Sequence, residues 1–227
     1  MTALTCFKKA SRRLLSQDQG SLFTGSDPLQ VKFLEIMSES IQDIAQAHDW
    51  NDLSQQCTLV TDGNTSDFAL PSDYGRMLVK ADVHSSIWSV NYEPAKDKDE
   101  WIQLQRFMPS TIPGYWIIYG GQMHLLPTPR ASENPTFWYI STNLVRGADG
   151  TMKADFTSDD DSFVLDEQLL LLSTIWRWKQ AEGLDYQEDM QNYEVRLSQL
   201  AAKDHGSKPI RANRSGLNRL GIWAMAR

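Results

Sequence analysis

The stretch 115–126, YWIIYGGQMHLL, predicts a β-hairpin more clearly than any other segment of the chain. Two runs rich in aromatic and β-branched residues are separated only by Gly120 and Gly121. Glycine accepts the positive φ angles that a two-residue hairpin turn requires. Pro127 follows the second run, and proline cannot donate to a strand ladder, so the second strand is expected to end there.

The hairpin lies within a β-rich zone. Further short runs typical of strands are Cys57–Val60, Asp67–Leu70, Arg76–Val83, Ser86–Tyr92 and Thr136–Val145. The turn signature at 62–64, Asp-Gly-Asn, predicts that the first two of these runs form a hairpin. Lys96–Phe107 interrupts the β pattern with charged residues and with apolar residues at helical spacing, which predicts a short helix.

Helical patterns flank this zone. On the N-terminal side, Asp27 is a predicted N-cap and Pro28 occupies the favoured first helical position. The residues that follow repeat on one amphipathic face: Leu34, Met37, Ile41 and Ile44. On the C-terminal side, Asp166 is expected to cap a largely apolar helix that ends at Gly183, and Asp185 is expected to cap a second helix. The short link between them predicts an antiparallel helical hairpin.

Together these patterns predict an α+β fold. We expect an α-helical bundle, formed by N-terminal helices and a C-terminal helical hairpin, with a central antiparallel β insertion and an extended C-terminal arm. The expected boundaries are 1–52 for the N-terminal helices, 53–161 for the β-rich insertion, 162–206 for the helical hairpin and 207–227 for the basic arm.

Composition and charge narrow the function classes. Of the 227 residues, 41% are hydrophobic and 22% charged, which argues against disorder and against a fibrous protein. No apolar run approaches the roughly 20 residues of a membrane span, and no secretory signal is expected. The two cysteines predict synthesis in a reducing cytoplasm. Residues 205–227 carry five bases and no acid, whereas all 29 acids lie in residues 1–204. This asymmetry predicts a terminal arm that docks on another molecule.

No pattern predicts catalysis, a cofactor or a metal. Four histidines are scattered without ligand spacing, and no phosphate-binding or nucleophile motif is present. The acidic triplet 159–161 lacks the alternation of a calcium loop and is interpreted as a solvated acidic loop. Carboxylates that could serve a glycoside hydrolase are present in the β-rich zone, so a hydrolase remains an alternative function. The residues concerned are Asp67, Glu93, Asp97, Asp99 and Glu100.

Four segments in order carry a family resemblance. The segment 68–78, FALPSDYGRML, is followed by the hairpin with GQMHLLPTP at 121–129, then by FWYI at 137–140 and by the helical hairpin from Phe163 to Leu200. This succession resembles tailed-bacteriophage head-to-tail adaptor (connector, or head-completion) proteins. In that family an "aLPxDyxR" segment opens the central strands, a "GxxixLxPxP" strand ends them, and two leucine-rich helices follow. The Lys96–Phe107 insert and the long basic tail depart from that pattern.

The resemblance implies a non-enzymatic structural protein of the virion neck, and a virion-associated peptidoglycan hydrolase remains the alternative function. It implies a ring of identical copies, commonly twelve, that sits beneath the portal protein, extends the DNA channel and offers a platform to tail or nozzle proteins. DNA would pass through the channel without sequence-specific binding, and the acidic body is expected to line or flank it. The C-terminal segment would grip the portal. The expected portal-binding residues are Ile210, Arg211, Arg214, Leu217, Arg219, Leu220 and Trp223.

Overall fold

The computed structural model describes residues 2–24, 27–79, 81–107 and 113–204 of the chain. Five α-helices lie within these ranges: α1 (Ala3–Leu15), α2 (Pro28–Ala47), α3 (Lys98–Phe107), α4 (Glu167–Ala181) and α5 (Gln187–Asp204). A 3-10 turn at Asn51–Leu53 follows α2. Helix α4 is central, because α1, α2 and α5 all pack against it.

Side-chain caps fix where the helices begin. The Asp27 carboxylate accepts a hydrogen bond from Leu29 N, and Pro28 is the first residue of α2. The Asp166 carboxylate accepts from Leu169 N at 2.8 Å at the start of α4. Both predicted caps are confirmed. The predicted helix at Lys96–Phe107 is also confirmed, as α3.

Ten short strands lie between α2 and α4: β1 (Ser54–Thr58), β2 (Asp67–Ala69), β3 (Tyr74–Met77), β4 (Glu93–Pro94), β5 (Tyr115–Tyr119), β6 (Gln122–Leu126), β7 (Thr136–Ser141), β8 (Val145–Arg146), β9 (Met152–Lys153) and β10 (Ser162–Phe163). They form three separate sheets, with the orders β1-β7-β3, β10-β8-β9 and β2-β6-β5-β4. All pairs are antiparallel except β4 with β5, which is parallel.

The α+β class stands, but the prediction of a helical bundle with one central antiparallel β insertion is wrong. The strands divide among three sheets, one of which contains a parallel pair. The sheet of β8, β9 and β10 is also part of the helical core, since Val145 and Phe163 are buried among the helices. Local periodicity shows strands but carries no information on which strand pairs with which. The predicted extended C-terminal arm lies outside the described residues.

The predicted hairpin at 115–126 is confirmed, with Gly120 and Gly121 at φ +61° and +76°. The predicted hairpin around 62–64 is wrong: β1 pairs with β7, and β2 pairs with β6. The turn itself is present, but a Cβ on Gly63 would lie 2.9 Å from Ala131 N. The turn is therefore packed against a distant loop and carries the chain from one sheet to another. The predicted strand at Ser86–Tyr92 is a loop, with an isolated bridge between Val83 and Tyr92.

Two hydrophobic cores lie side by side. The larger contains the helices and the β8-β9-β10 sheet, with Phe33 packed edge-on against Phe7 and stacked on Trp178. The smaller contains residues of the other two sheets, including Phe137. Strand β7 joins them, because its Ile140 belongs to the larger core and its Phe137 to the smaller. The helical layer and the sheets are therefore connected through packing as well as through the chain.

Candidate interaction surfaces

The acidic triplet 159–161 is largely structural, and its interpretation as a solvated loop is wrong. Asp161 is 1% exposed and accepts hydrogen bonds from Thr157 N, Ser158 N and Lys153 Nζ. Burial alone would raise the pKa of Asp161, but these bonds outweigh it and lower the pKa below its ordinary value. Asp159 accepts from the backbone N–H of Leu22 at 2.9 Å, so it holds the loop between α1 and α2.

A buried carboxylate joins two loops at one end of the smaller core. Glu133 is 1% exposed, and its side chain accepts from Ser85 Oγ at 2.6 Å, Tyr92 OH at 3.1 Å and Arg130 N at 3.3 Å. Burial, and after it the Glu133 carboxylate, raises the pKa of Tyr92 well above its ordinary value. The Arg130 guanidinium lies 4.9 Å from the Trp88 ring centre. Nothing in the sequence around Glu133 distinguishes it from a surface acid.

These contacts hold a loop that presents apolar side chains to the outside. Between Ser85 and Tyr92, Ile87 and Val90 are each 52% exposed. The Ser85 hydroxyl also accepts from Trp88 N at 3.1 Å, so the loop is fixed from within as well as at its base. An apolar loop on a rigid base is typical of a contact surface.

The carboxylates considered for hydrolysis serve other local roles. Asp97 and Glu100 cap α3 reciprocally, since Glu100 N donates to Asp97 and Lys96 N donates to Glu100. The Asp67 carboxylate accepts from His124 Nδ1 at 2.7 Å, and His124 Nε2 lies 3.3 Å from the Tyr119 carbonyl. Both ring nitrogens therefore have partners in the hairpin. The remaining two, Glu93 on β4 and Asp99 in the first turn of α3, are exposed.

In the ranges that the structure describes, no group of three or more histidine, cysteine or acidic side chains is placed to hold a metal ion. Among the same residues, no helix is both long enough and apolar enough to cross a membrane.

Helix α1 presents a basic surface. It carries four bases and no acid: Lys8, Lys9, Arg12 and Arg13. Two of them lie in the last turn, where cations are favoured by the helix dipole. Arg12 forms an exposed ion pair with Asp18 at 2.7 Å. The helix dipole explains the bases in the last turn of α1. It does not explain Lys9, which is exposed about two turns from the start of the helix.

The end of α5 is fixed to the end of α2. Asp204 accepts from Asn51 N at 3.0 Å through its side chain and from Asn51 Nδ2 at 2.7 Å through its backbone carbonyl. His48 Nε2 lies 3.4 Å from the Asp204 carboxylate. Asp204, the residue that precedes the basic segment, is therefore held in place within the helical layer.

A family model for the SU10 adaptor protein matches residues 1–217. The chain belongs to the SU10 adaptor protein family. It is thus a phage adaptor protein with a structural role, and a component of the virion. A comparison with curated proteins found no match.

The expected portal-binding residues of this SU10 adaptor lie outside the described residues. They are Ile210, Arg211, Arg214, Leu217, Arg219, Leu220 and Trp223. The family match extends to residue 217, so it covers the first four of them. Sequence reasoning missed the Glu133 cluster and the apolar loop, because both depend on segments brought together from distant parts of the chain.

Proposed function

We propose that this adaptor acts as a head-to-tail connector in the neck of the virion. Identical copies, twelve in the expected arrangement, form a ring beneath the portal protein, extend the DNA channel and receive tail or nozzle proteins below. The proposal rests on family membership together with the placement of charge and of the chain's end.

The observation that carries the portal contact is the separation of charge. Residues 205–227 hold five bases and no acid, and residues 1–204 hold every acid of the chain. The basic segment follows directly after Asp204, which is anchored to Asn51. A basic arm on a fixed base can reach a neighbouring ring, and repetition around the ring multiplies weak contacts.

The acidic body supports the passage of DNA. The first 204 residues carry 29 acids against 17 bases. Like charge on a channel wall repels phosphates and opposes adhesion, so DNA can slide through without sequence-specific contacts. A basic lumen in an assembled ring would contradict this part of the proposal.

The arm is tested by truncation after Gly206 and by an Arg211→Gln/Arg214→Gln/Arg219→Gln variant. We expect truncation to weaken binding to the purified portal by at least about 100-fold, since avidity is lost around the ring. The triple variant should weaken binding and flatten its dependence on salt. Arg227→Gln is the matched control, because it removes a cation outside the predicted set.

Binding is measured by surface-immobilised portal at low and high salt, with circular dichroism as a check of folding. Unchanged portal binding after truncation would reject the arm. A purified protein that clears peptidoglycan in a zymogram would favour the hydrolase instead.

A further inference from the structure

A ring of identical copies requires two different surfaces on each copy, one that receives the neighbour and one that is offered to it. We propose that the groove between α1 and α4 receives the outward face of α5 from a neighbouring copy. This inference rests on the proposed ring and assigns the surfaces through which its copies meet.

The receiving groove is a cleft of about 400 Å³. Lys9, Arg12 and Arg13 of α1 line one side, and Gln168 and Leu171 of α4 line the other. Lys9 and Arg13 are exposed and have no ion-pair partner among the residues that the structure describes. Cations beside an apolar side chain fit a partner that carries carboxylates around an apolar residue.

The outward face of α5 has that character. Glu188, Gln191, Val195 and Ser198 follow one another at spacings of three and four residues, so they share one face, and all four are exposed. Val195 is 49% exposed in the middle of the helix, and the exposed Glu194 is its neighbour. The face thus offers the Glu188 carboxylate and the apolar Val195, with the Glu194 carboxylate at its edge.

The positions of α1 and α5 make this a contact between copies. Helix α1 packs against α4 with Cys6 beside Thr174, whereas Tyr186 and Tyr193 of α5 pack on Trp176. These contacts lie on different faces of α4, so a copy cannot place its own α5 in its own groove. A contact between unlike surfaces is heterologous, and its repetition produces a closed ring or an open filament.

DNA phosphates are another possible occupant of a cationic groove. The apolar Leu171, which lines the groove, favours a protein helix there, because a phosphate backbone offers it no apolar group. We therefore assign the groove to a second copy.

Paired charge reversals test the assignment. One variant is Lys9→Glu/Arg13→Glu, and the other is Glu188→Lys/Glu194→Lys. Each turns attraction into repulsion in every copy-to-copy contact, so each should weaken self-association at least about tenfold. An equimolar mixture should regain self-association. The acidic groove of the first variant then meets the basic α5 of the second, and the basic groove of the second meets the acidic α5 of the first.

The matched control is Lys98→Glu/Arg106→Glu on α3, which changes the net charge as much as the groove variant does. Both positions are exposed, and both are distant in sequence from the groove and from α5. Association is measured by sedimentation velocity up to about 1 mM, the range of weak single interfaces, at low and high salt. Circular dichroism confirms that each variant is folded. Lys9→Gln/Arg13→Gln provides a milder variant should the reversal unfold α1.

The proposal is overturned if the full-length wild type stays monomeric throughout that range. It is equally overturned if the wild type associates but both reversals and their mixture behave like it, which would place the contact elsewhere. Loss of association on adding short duplex DNA, with the mixture showing no recovery, would assign the groove to nucleic acid. In the last two cases the portal contact of the arm can still be present, so failure here is distinct from failure of the proposed function.

Discussion

Replacement of the buried Glu133 by alanine should destabilise the smaller core. The Glu133 carboxylate is 1% exposed and accepts three hydrogen bonds, from Ser85, Tyr92 and Arg130. Removing the acceptor leaves the Tyr92 hydroxyl without its partner at a residue that is itself 1% exposed. Ser85 is half-buried, so its hydroxyl can turn toward water.

The magnitude follows from these differences. A buried donor left unpaired costs about 1–3 kcal/mol, and a bond to a charged acceptor contributes about 1.5–3 kcal/mol. Only the Tyr92 hydroxyl is left as a buried donor without an acceptor. We therefore expect Glu133→Ala to lower the free energy of unfolding by about 3 kcal/mol. In a Tyr92→Phe background that donor is absent, so the same substitution should cost about 1–2 kcal/mol less.

Urea denaturation of the wild type, both single variants and the double variant gives the coupling energy. Circular dichroism follows the whole fold, and tryptophan fluorescence is sensitive to Trp88 beside Arg130. Glu93→Ala is the control, because Glu93 is exposed on β4 and its loss should change stability by less than about 0.5 kcal/mol. Additive effects of the two single substitutions, or a Glu133→Ala variant as stable as the control, would refute the reasoning.

Three further outcomes are expected. The pKa values of Tyr92 and Tyr139 are raised by burial and then by nearby carboxylates, so the stability that the neutral hydroxyls provide is complete below about pH 10 and declines above it. Urea unfolding between pH 8 and 11 should show a loss of up to about 1.4 kcal/mol per pH unit for each tyrosine, and a Tyr→Phe variant that declines as steeply would contradict this. Asp161→Asn should lower the free energy of unfolding by about 2 kcal/mol at pH 7, since the pKa of Asp161 is lowered in the folded protein. This difference from the wild type should shrink below about pH 4, where the carboxylate becomes protonated. A difference that does not change with pH would show that the negative charge of Asp161 is not its source. Phe33→Ala, at a fully buried position between two aromatic rings, should cost about 3–5 kcal/mol in thermal or urea unfolding, and a loss under about 1 kcal/mol would show that the larger core rearranges.

The helices were predictable because their signals are local. Asp27 and Asp166 are caps within three residues of the N–H groups that they bind, and a glycine with positive φ, Gly183, follows α4. The Gly-Gly hairpin was predictable for the same reason. The prediction around 62–64 was wrong because the turn is genuine but its flanking strands find partners 53 to 86 residues away.

The interaction surfaces divide in the same way. The basic character of α1 and the absence of acids after residue 204 can be counted in the sequence. The groove shared by Lys9, Arg13 and Leu171 exists only because α1 packs against α4. Val195 is exposed because α5 packs against α4 through its opposite face. The anchoring of Asp204 to Asn51 likewise joins residues separated by most of the chain.

The amino-acid sequence by itself determined the helices, their caps, the central hairpin and the separation of charge between body and C-terminal segment, since each depends on residues within a few positions of one another. The tertiary structure alone decided that the strands form three sheets, that Glu133 and Asp161 are buried, and that α1 and α5 contact different faces of α4. The pairing of strands that are distant in sequence depends on the burial and hydrogen bonding of the whole chain. It therefore cannot be predicted from any short segment.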